Sequence, residues 1–229
     1  GTKLTKTGAG YTAQSTNFIF GTPLNVGDVA VGPDGNVYFV LGGRYSEGGV
    51  YRVVYRGPNA MRPPAANTPV ERALTAIQPR SAFSRRLARD AKVQVGERTW
   101  NNQLTAVARD ARQSAERRVR ALELLQVFGP APEEALLAAL SDDPSWEVRA
   151  AAVYYLGMKT SEGAQRRLVA KLKDADPFVQ RRAAESLLEQ LRHSHGLLRR
   201  IGRHSVDLHQ RSERGIAADE EIAQQFRIR

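Results

Sequence analysis

Four histidines near the end of the chain are the first candidates for chemistry. His193, His195, His204 and His209 are the only histidines in the sequence, and imidazole nitrogens are common zinc ligands. However, a helix turns residues two apart to different faces, and no partner residue stands at the spacing typical of a catalytic zinc site. The sequence therefore favours exposed histidines, and we expect no metal ligands.

Nucleophilic and cofactor chemistry has equally little support. The chain contains no cysteine, which excludes disulfides, thiolate catalysis and a Cys-x-x-Cys-His haem site within these residues. It lacks a Gly-x-Ser-x-Gly elbow, and the glycine pairs at 42–43 and 48–49 do not precede a helix as a phosphate-binding loop would. We therefore expect no catalytic residue and no cofactor in this chain.

Arginine is the residue type with the strongest bias. The formal net charge is +10, and residues 60–120 hold most of the excess, with 13 basic and five acidic residues. Arginines in this segment are candidates for contact with a protein partner or with nucleic acid. The six that we select are Arg85, Arg86, Arg89, Arg112, Arg117 and Arg118.

Two interpretations of these arginines remain open. They could neutralise phosphates along one concave face, as in a solenoid that binds the nucleic-acid backbone. Against this, Phe83 and Trp100 are the only aromatic residues available for base stacking in the segment, and acidic residues are interspersed. A solvated helix face with intramolecular ion pairs is therefore favoured, and nucleic-acid binding remains the less favoured alternative.

The first quarter of the chain has a β pattern. Three runs rich in β-branched and aromatic residues, 28–31, 36–41 and 49–55, are separated by a Gly-Pro-Asp-Gly turn at 32–35 and a glycine-rich turn at 42–49. They predict a small antiparallel β-meander. The preceding residues 1–22 alternate, and we expect Phe18 and Phe20 on one face of a strand that leads into it.

Helix signals begin after a proline-containing linker at 57–67. Thr68, Pro69 and Glu71 have the types and spacing of a capping box with proline at the first helical position. We predict a second helix over about 81–95 and a third from about residue 101.

Helical repeats with a period of 31 residues fill the second half. Small and leucine positions recur at this spacing, as do a polar position and Asp-rich turns, so we predict an α-solenoid. Asp142, Asp143, Asp174 and Asp176 are the expected N-caps. Trp146 and Phe178, just before the helices, are expected to join neighbouring repeats. The recurring positions are Ala121, Ala152 and Ala183; Leu125, Leu156 and Leu187; and Arg118, Arg149 and Gln180.

A family resemblance follows from these residues. The run Asp143-Pro144, Val148-Arg149, Ala151-Ala152 and Leu156-Gly157 resembles a bacterial HEAT repeat. The segment GPDGNVYFVLGGRYSEGGVYRVVY is similar to the last blade of sorbosone or glucose dehydrogenase-like propellers. Together they resemble the planctomycete and acidobacterial proteins that join a propeller, HEAT repeats and a c-type cytochrome.

The resemblance implies an exported or periplasmic parent protein, although no signal peptide is visible in this sequence. One blade cannot form the quinone site of a closed propeller, so no catalytic or cofactor residue is carried over. We expect a mainly α chain: a HEAT-like α-solenoid (68–191) preceded by a small antiparallel β-meander resembling one propeller blade (1–56), with linker 57–67 and a basic tail 192–229, irregularly helical or disordered.

The expected function is that of a non-catalytic scaffold for a protein partner or for neighbouring domains of the parent. Two alternatives remain. The chain could be part of a quinone-dependent sugar dehydrogenase whose active site lies upstream, or it could be a solenoid that binds nucleic acid.

Overall fold

Two small antiparallel sheets precede a stack of helices in this computed structural model, which describes residues 1–22, 24–43, 47–57 and 66–192. The first sheet is a hairpin of β1 (Thr2–Thr7) and β2 (Gly10–Ser15). The second has the order β3 (Val26–Val31), β4 (Val37–Leu41), β5 (Gly49–Val53). The predicted β-meander is confirmed.

The segment before the meander differs from the expectation. It forms a separate hairpin instead of one strand leading into the meander, because the turn between Thr7 and Gly10 folds it back on itself. Phe18 and Phe20 lie outside any strand and are exposed, Phe20 by 87%. They therefore do not cover an apolar face of the meander.

The turn between β3 and β4 forms as its sequence predicts. The amide of Gly35 donates to the carbonyl of Gly32 at 2.9 Å, and Gly35 has a φ of +79°, a conformation that residues with a Cβ rarely adopt. Asp34 accepts hydrogen bonds from the Asn36 side chain and amide and from the Tyr38 hydroxyl. These bonds hold the pKa of Asp34 below its ordinary value.

Eight helices follow in the described part of the chain. Their bounds are α1 Pro69–Leu74, α2 Ala82–Val95, α3 Glu97–Arg109, α4 Ala115–Phe128, α5 Glu134–Leu140, α6 Trp146–Leu156, α7 Glu162–Lys171 and α8 177–192.

The starts of the first three helices can be compared with the sequence predictions. Thr68 accepts from the amide of Glu71 at 3.1 Å and Pro69 is the first residue of α1, as predicted. The α2 prediction is confirmed, with Ser81 as its N-cap. The start of α3 was placed about four residues too late, since Gly96 ends α2 and α3 begins directly after it.

Helices α4 to α7 build the repeats. Helix α4 packs on α3 and α6, and α5 packs on α6 and α7. The alanines and leucines predicted to recur every 31 residues lie in one core, where Ala121, Ala152 and Ala183 are all fully buried. Small residues at these positions let the helix axes approach closely. The predicted solenoid is therefore confirmed.

A ladder of ion pairs joins consecutive repeats. Arg118 pairs with Asp143, 25 residues later, with Nη1 3.0 Å from Oδ1, and Arg149 pairs with Asp174 at the same separation, at 2.9 Å. Each aspartate also accepts from a backbone amide at the start of the next helix. The third repeat carries Gln180, whose amide donates to the Asp174 carbonyl at 2.6 Å, so the charged ladder ends there.

The predicted N-caps need correction. Ser145, not Asp142 or Asp143, caps α6 by accepting from the amide of Val148, because Asp143 lies two residues earlier and is held by Arg118. In the equivalent turn Asp176 accepts from the amide of Phe178 at 2.8 Å. The prediction is thus confirmed for Asp176 and wrong for Asp174, which, like Asp143, accepts from the amide of the N-cap residue.

The ladder predicts a large asymmetry between two arginine substitutions. Arg118→Met leaves Asp143 buried without its charge partner, which we expect to lower the free energy of unfolding by about 3–5 kcal/mol. Arg167→Met removes only an exposed pair with Asp142 and should cost about 0–1 kcal/mol. Urea unfolding followed by circular dichroism measures both, and equal losses would contradict a structural role for the ladder.

The lowered pKa of Asp174 predicts that acid destabilises the fold. Burial alone would raise its pKa, but hydrogen bonds from Arg149 and from the Asp176 amide outweigh burial and lower it below the ordinary value of 3.8. Because the folded pKa is the lower one, the stabilisation is present above pH 3.8 and is lost as the pH falls through the folded pKa.

We therefore expect the urea midpoint of the native chain to fall below about pH 4. Asp174→Asn should give a less stable protein whose midpoint depends less on pH in this range. Asp90→Asn, at an exposed position without an ionic partner among the described residues, should keep the native slope. An unchanged slope in Asp174→Asn would show that other carboxylates control acid unfolding.

Candidate binding surface

Helix α2 presents a basic outer face. Ser84, Ala88 and Ala91 are buried and lie on the inner side of the helix, so the residues on its opposite side point to solvent. Arg85, Arg86 and Arg89 all lie on this exposed side, and none of them forms an ion pair within the described residues. Residues 85 and 89 are one helical turn apart, so their guanidinium groups share one surface.

A groove of about 580 Å³ runs beside this face. Its apolar side chains are Val93 and Val127, which are 79% and 52% exposed, and Phe128, which is partly buried. Arg85 and Arg89 form its basic rim. The lining residues are Arg85, Arg89, Lys92, Val93, Gly96, Glu97, Val127 and Phe128.

Lys92 fixes one wall of the groove. Its ammonium donates to the carbonyl of Phe128 at 2.7 Å, which satisfies an end carbonyl of α4 and places a positive charge at the negative end of that helix. It also lies 3.3 Å from Glu97 at the start of α3. One lysine of α2 therefore joins α3 and α4 beside the groove.

The other three predicted arginines are engaged within the protein. Arg112 binds Asp110 with two nitrogens, and these bonds together with the Arg112 amide lower the pKa of Asp110 to about 2. Arg117 donates to Glu71 at 2.7 Å and so joins α4 to α1. Its hydrogen bonds hold the pKa of Glu71 below the ordinary value.

Arg118 is the most deeply committed of the six, since only 3% of it is exposed. Its Nε donates to the Ala108 carbonyl at 3.0 Å while both Nη atoms bind Asp143. The structure thus brings Arg85, Arg86 and Arg89 together on one surface and places Arg112, Arg117 and Arg118 in ion pairs elsewhere. Arg118 and Arg149 occupy the same position of the 31-residue repeat. This shared position is the sequence signal that separates Arg118 from the exposed arginines.

A second surface, at which the β1–β2 hairpin meets the solenoid, was not predicted from the sequence. Trp146 and Phe178 contact each other edge to face, with ring centroids 5.3 Å apart, which agrees with their predicted role between repeats. The β1–β2 hairpin lies against them: Lys6 is 2.6 Å from Asp176 and 4.4 Å from the centre of the Trp146 ring. No local pattern predicts this contact, because its partners are 170 residues apart.

Another groove, of about 750 Å³, lies between α6, α7 and α8. Tyr154 and Met158 are about half exposed there. Arg182 is stacked over the Tyr154 ring at 5.2 Å. The lining residues are Tyr154, Gly157, Met158, Thr160, Gln165, Arg182, Glu185, Ser186, Glu189 and Gln190.

No group of three or more His, Cys, Asp or Glu side chains within the described ranges is arranged to hold a metal ion. The four histidines and residues 193–229 of the predicted tail 192–229 lie outside the described residues, as does part of the predicted linker, whereas Arg192 is the last residue of α8. Among the helices that are described, none is long and apolar enough to cross a membrane.

Comparison with known proteins agrees with the geometry of the repeats. Residues 133–195 match the family described as HEAT repeats, and this range includes α5, α6, α7 and the Arg149–Asp174 pair. No curated protein gives a significant match to the chain. The chain is thus a HEAT-like α-solenoid preceded by a small antiparallel β-meander.

Proposed function

We propose that this chain is a non-catalytic protein-interaction scaffold that binds its partner on the α2 face and in the adjoining groove. HEAT repeats typically serve as scaffolds for other proteins, because stacked helix pairs present an extended surface to a partner. In the groove between α2, α3 and α4, exposed apolar area lies beside arginines that have no ion pair among the described residues.

The observation that carries the proposal is a group of three arginines, Arg85, Arg86 and Arg89, that have no ionic partner in the part of the chain that the structure describes. Many other arginines of this segment are used internally, as the pairs of Arg117 and Arg118 illustrate. Like charges one turn apart repel each other, so carboxylates of a bound partner would relieve this repulsion.

The groove indicates the chemistry of that partner. Aliphatic side chains of Val93 and Val127 form its exposed apolar area, and arginines form the rim. An acidic segment that also carries leucine or valine side chains satisfies both features. The second candidate, a nucleic-acid backbone, is favoured by the same arginines but gains nothing from an aliphatic groove, because bases stack on aromatic rings.

The experiment uses a fluorescein-labelled peptide with alternating helical turns of glutamate and leucine, and a single-stranded oligonucleotide of matched charge. We expect the peptide to bind the native chain. The triple variant Arg85→Ala/Arg86→Ala/Arg89→Ala should lose roughly tenfold in affinity for the peptide. The reason is that three exposed ion pairs between arginines of the chain and glutamates of the peptide contribute about 0.5 kcal/mol each. Fluorescence anisotropy at several salt concentrations is the measurement.

A matched control removes three arginines from other helices. Arg72, Arg98 and Arg166 are exposed and have no ion pair among the described residues, so their triple alanine variant changes the net charge equally and should bind like the native chain. Tighter binding of the oligonucleotide than of the peptide would assign the surface to nucleic acid. Equal losses in both triple variants would reduce the effect to overall charge.

We also propose that the chain is part of a larger exported protein that joins a propeller, HEAT repeats and a cytochrome. A three-stranded antiparallel sheet followed by HEAT repeats supports this parentage. The dehydrogenase alternative places a quinone site in blades upstream of this segment. The flanking gene sequence tests both: further blades and an export signal before residue 1, and a Cys-x-x-Cys-His motif after residue 229, are expected.

A further inference from the structure

The hairpin β1–β2 has almost no apolar support of its own. Nearly all of its residues are exposed, and it pairs with none of the other described strands. An isolated two-stranded hairpin is marginally stable in water. Its position therefore depends on the few side chains with which it touches the solenoid.

Two of these side chains form a matched pair. Lys6 and Tyr11 are directly opposite each other in the antiparallel register, so they project from the same face of the hairpin. Lys6 contacts Asp176 and Trp146, and the Tyr11 ring meets the Phe178 ring edge to face at 5.8 Å.

The solenoid side of this contact is a formed receptor. Asp176 is fixed because it caps α8 through the Phe178 amide, and Trp146 and Phe178 brace each other. The carboxylate and the indole face together hold an ammonium group from two sides, a geometry suited to lysine. The Phe178 ring lies beside Trp146 and offers an aromatic surface next to the site of the ammonium group. We call Trp146, Asp176 and Phe178 the ridge.

The ionisation of Asp176 agrees with this arrangement. Burial opposes its charged form, but hydrogen bonds from Lys6 and from the amides of Phe178 and Val179 outweigh burial and lower the pKa. The carboxylate is therefore charged at neutral pH whenever the ridge is occupied.

The connection between hairpin and meander allows the hairpin to leave. Residues 16–25 separate β2 from β3, a length that spans up to about 33 Å when extended. The hairpin can thus move off the ridge without displacing β3.

We propose that the ridge is a binding site for a segment of a protein partner that presents a lysine beside an aromatic ring, and that the β1–β2 hairpin occupies this site in cis and competes with that partner. The chemistry of the partner is taken from the occupant: an ammonium for Asp176 and Trp146, and a ring for Phe178. This site is separate from the α2 face and does not depend on the function proposed there.

A cyclic peptide is the probe. Gly1 and Thr16 exchange backbone hydrogen bonds at 2.7 and 2.8 Å, so residues 1–16 can be closed by an added Asn-Gly turn that matches hairpin twist. The labelled peptide is titrated with the full chain and followed by anisotropy. Circular dichroism and urea unfolding confirm that each variant is folded.

The cis hairpin is disabled by Lys6→Ala/Tyr11→Ala. This variant should bind the cyclic peptide at least about tenfold tighter than the native chain, since a competitor joined by a short connection acts at high effective concentration. Lys3→Ala, which removes a lysine from the same strand but from the other face of the hairpin, should bind as weakly as the native chain.

Asp176→Asn tests the receptor side. Asparagine is an equally good N-cap, so α8 keeps its start while the charge is lost. Added to Lys6→Ala/Tyr11→Ala, Asp176→Asn should weaken binding of the cyclic peptide at least tenfold, toward the low affinity of the native chain. A cyclic peptide with Lys6→Ala should bind weakly to every variant. The native chain should remain monomeric in sedimentation.

Three results overturn the proposal: equal peptide affinity for the native chain and Lys6→Ala/Tyr11→Ala, no measurable binding to either, or binding that Asp176→Asn leaves unchanged. A native dimer that the cyclic peptide dissociates would also overturn it, because the ridge would then hold the hairpin of a second copy.

Discussion

The structure depends most on the buried pairing of an arginine in one repeat with an aspartate in the next. Because Arg118 and Asp143 are both withdrawn from water, each is tolerable only in the presence of the other. The pair spans 25 residues while the repeat spans 31, so every pair connects neighbours. The spacing of neighbouring helices is therefore determined by charge as well as by the alanine and leucine core.

This constraint also explains where the positive charge of the chain is available. Within residues 121–190 acidic residues outnumber basic ones, 11 to eight, and both carboxylates of the ladder, Asp143 and Asp174, lie in this segment. Arg118 of α4 binds the first of them. Helix α2 stands before the ladder, and Arg85, Arg86 and Arg89 lie at the surface with no carboxylate partner among the residues that the structure describes.

Much of the fold was predictable because its determinants are local. The Thr68 and Ser81 caps and the 32–35 turn each depend on residues a few positions apart, and the 31-residue period is a repetition that the sequence shows directly. The division of the six arginines was predictable only for Arg118, which shares its position in the 31-residue register with Arg149. The pairing of Arg117 with Glu71 depends on a helix 46 residues away in sequence. The contact of Lys6 with Asp176 had no local signal at all.

The end of the ion-pair ladder has a mechanical consequence. Gln180 makes to the Asp174 carbonyl the same local hydrogen bond that Arg149 makes to the Asp143 carbonyl, but it brings no charge, so the described ladder has two charged junctions. In an array whose units touch only their neighbours, a pulling force is resisted by each junction in turn. The described solenoid should therefore open first at the junction of Arg149 with Asp174, whose arginine is less buried, and the junction of Arg118 with Asp143 should separate only at a higher force.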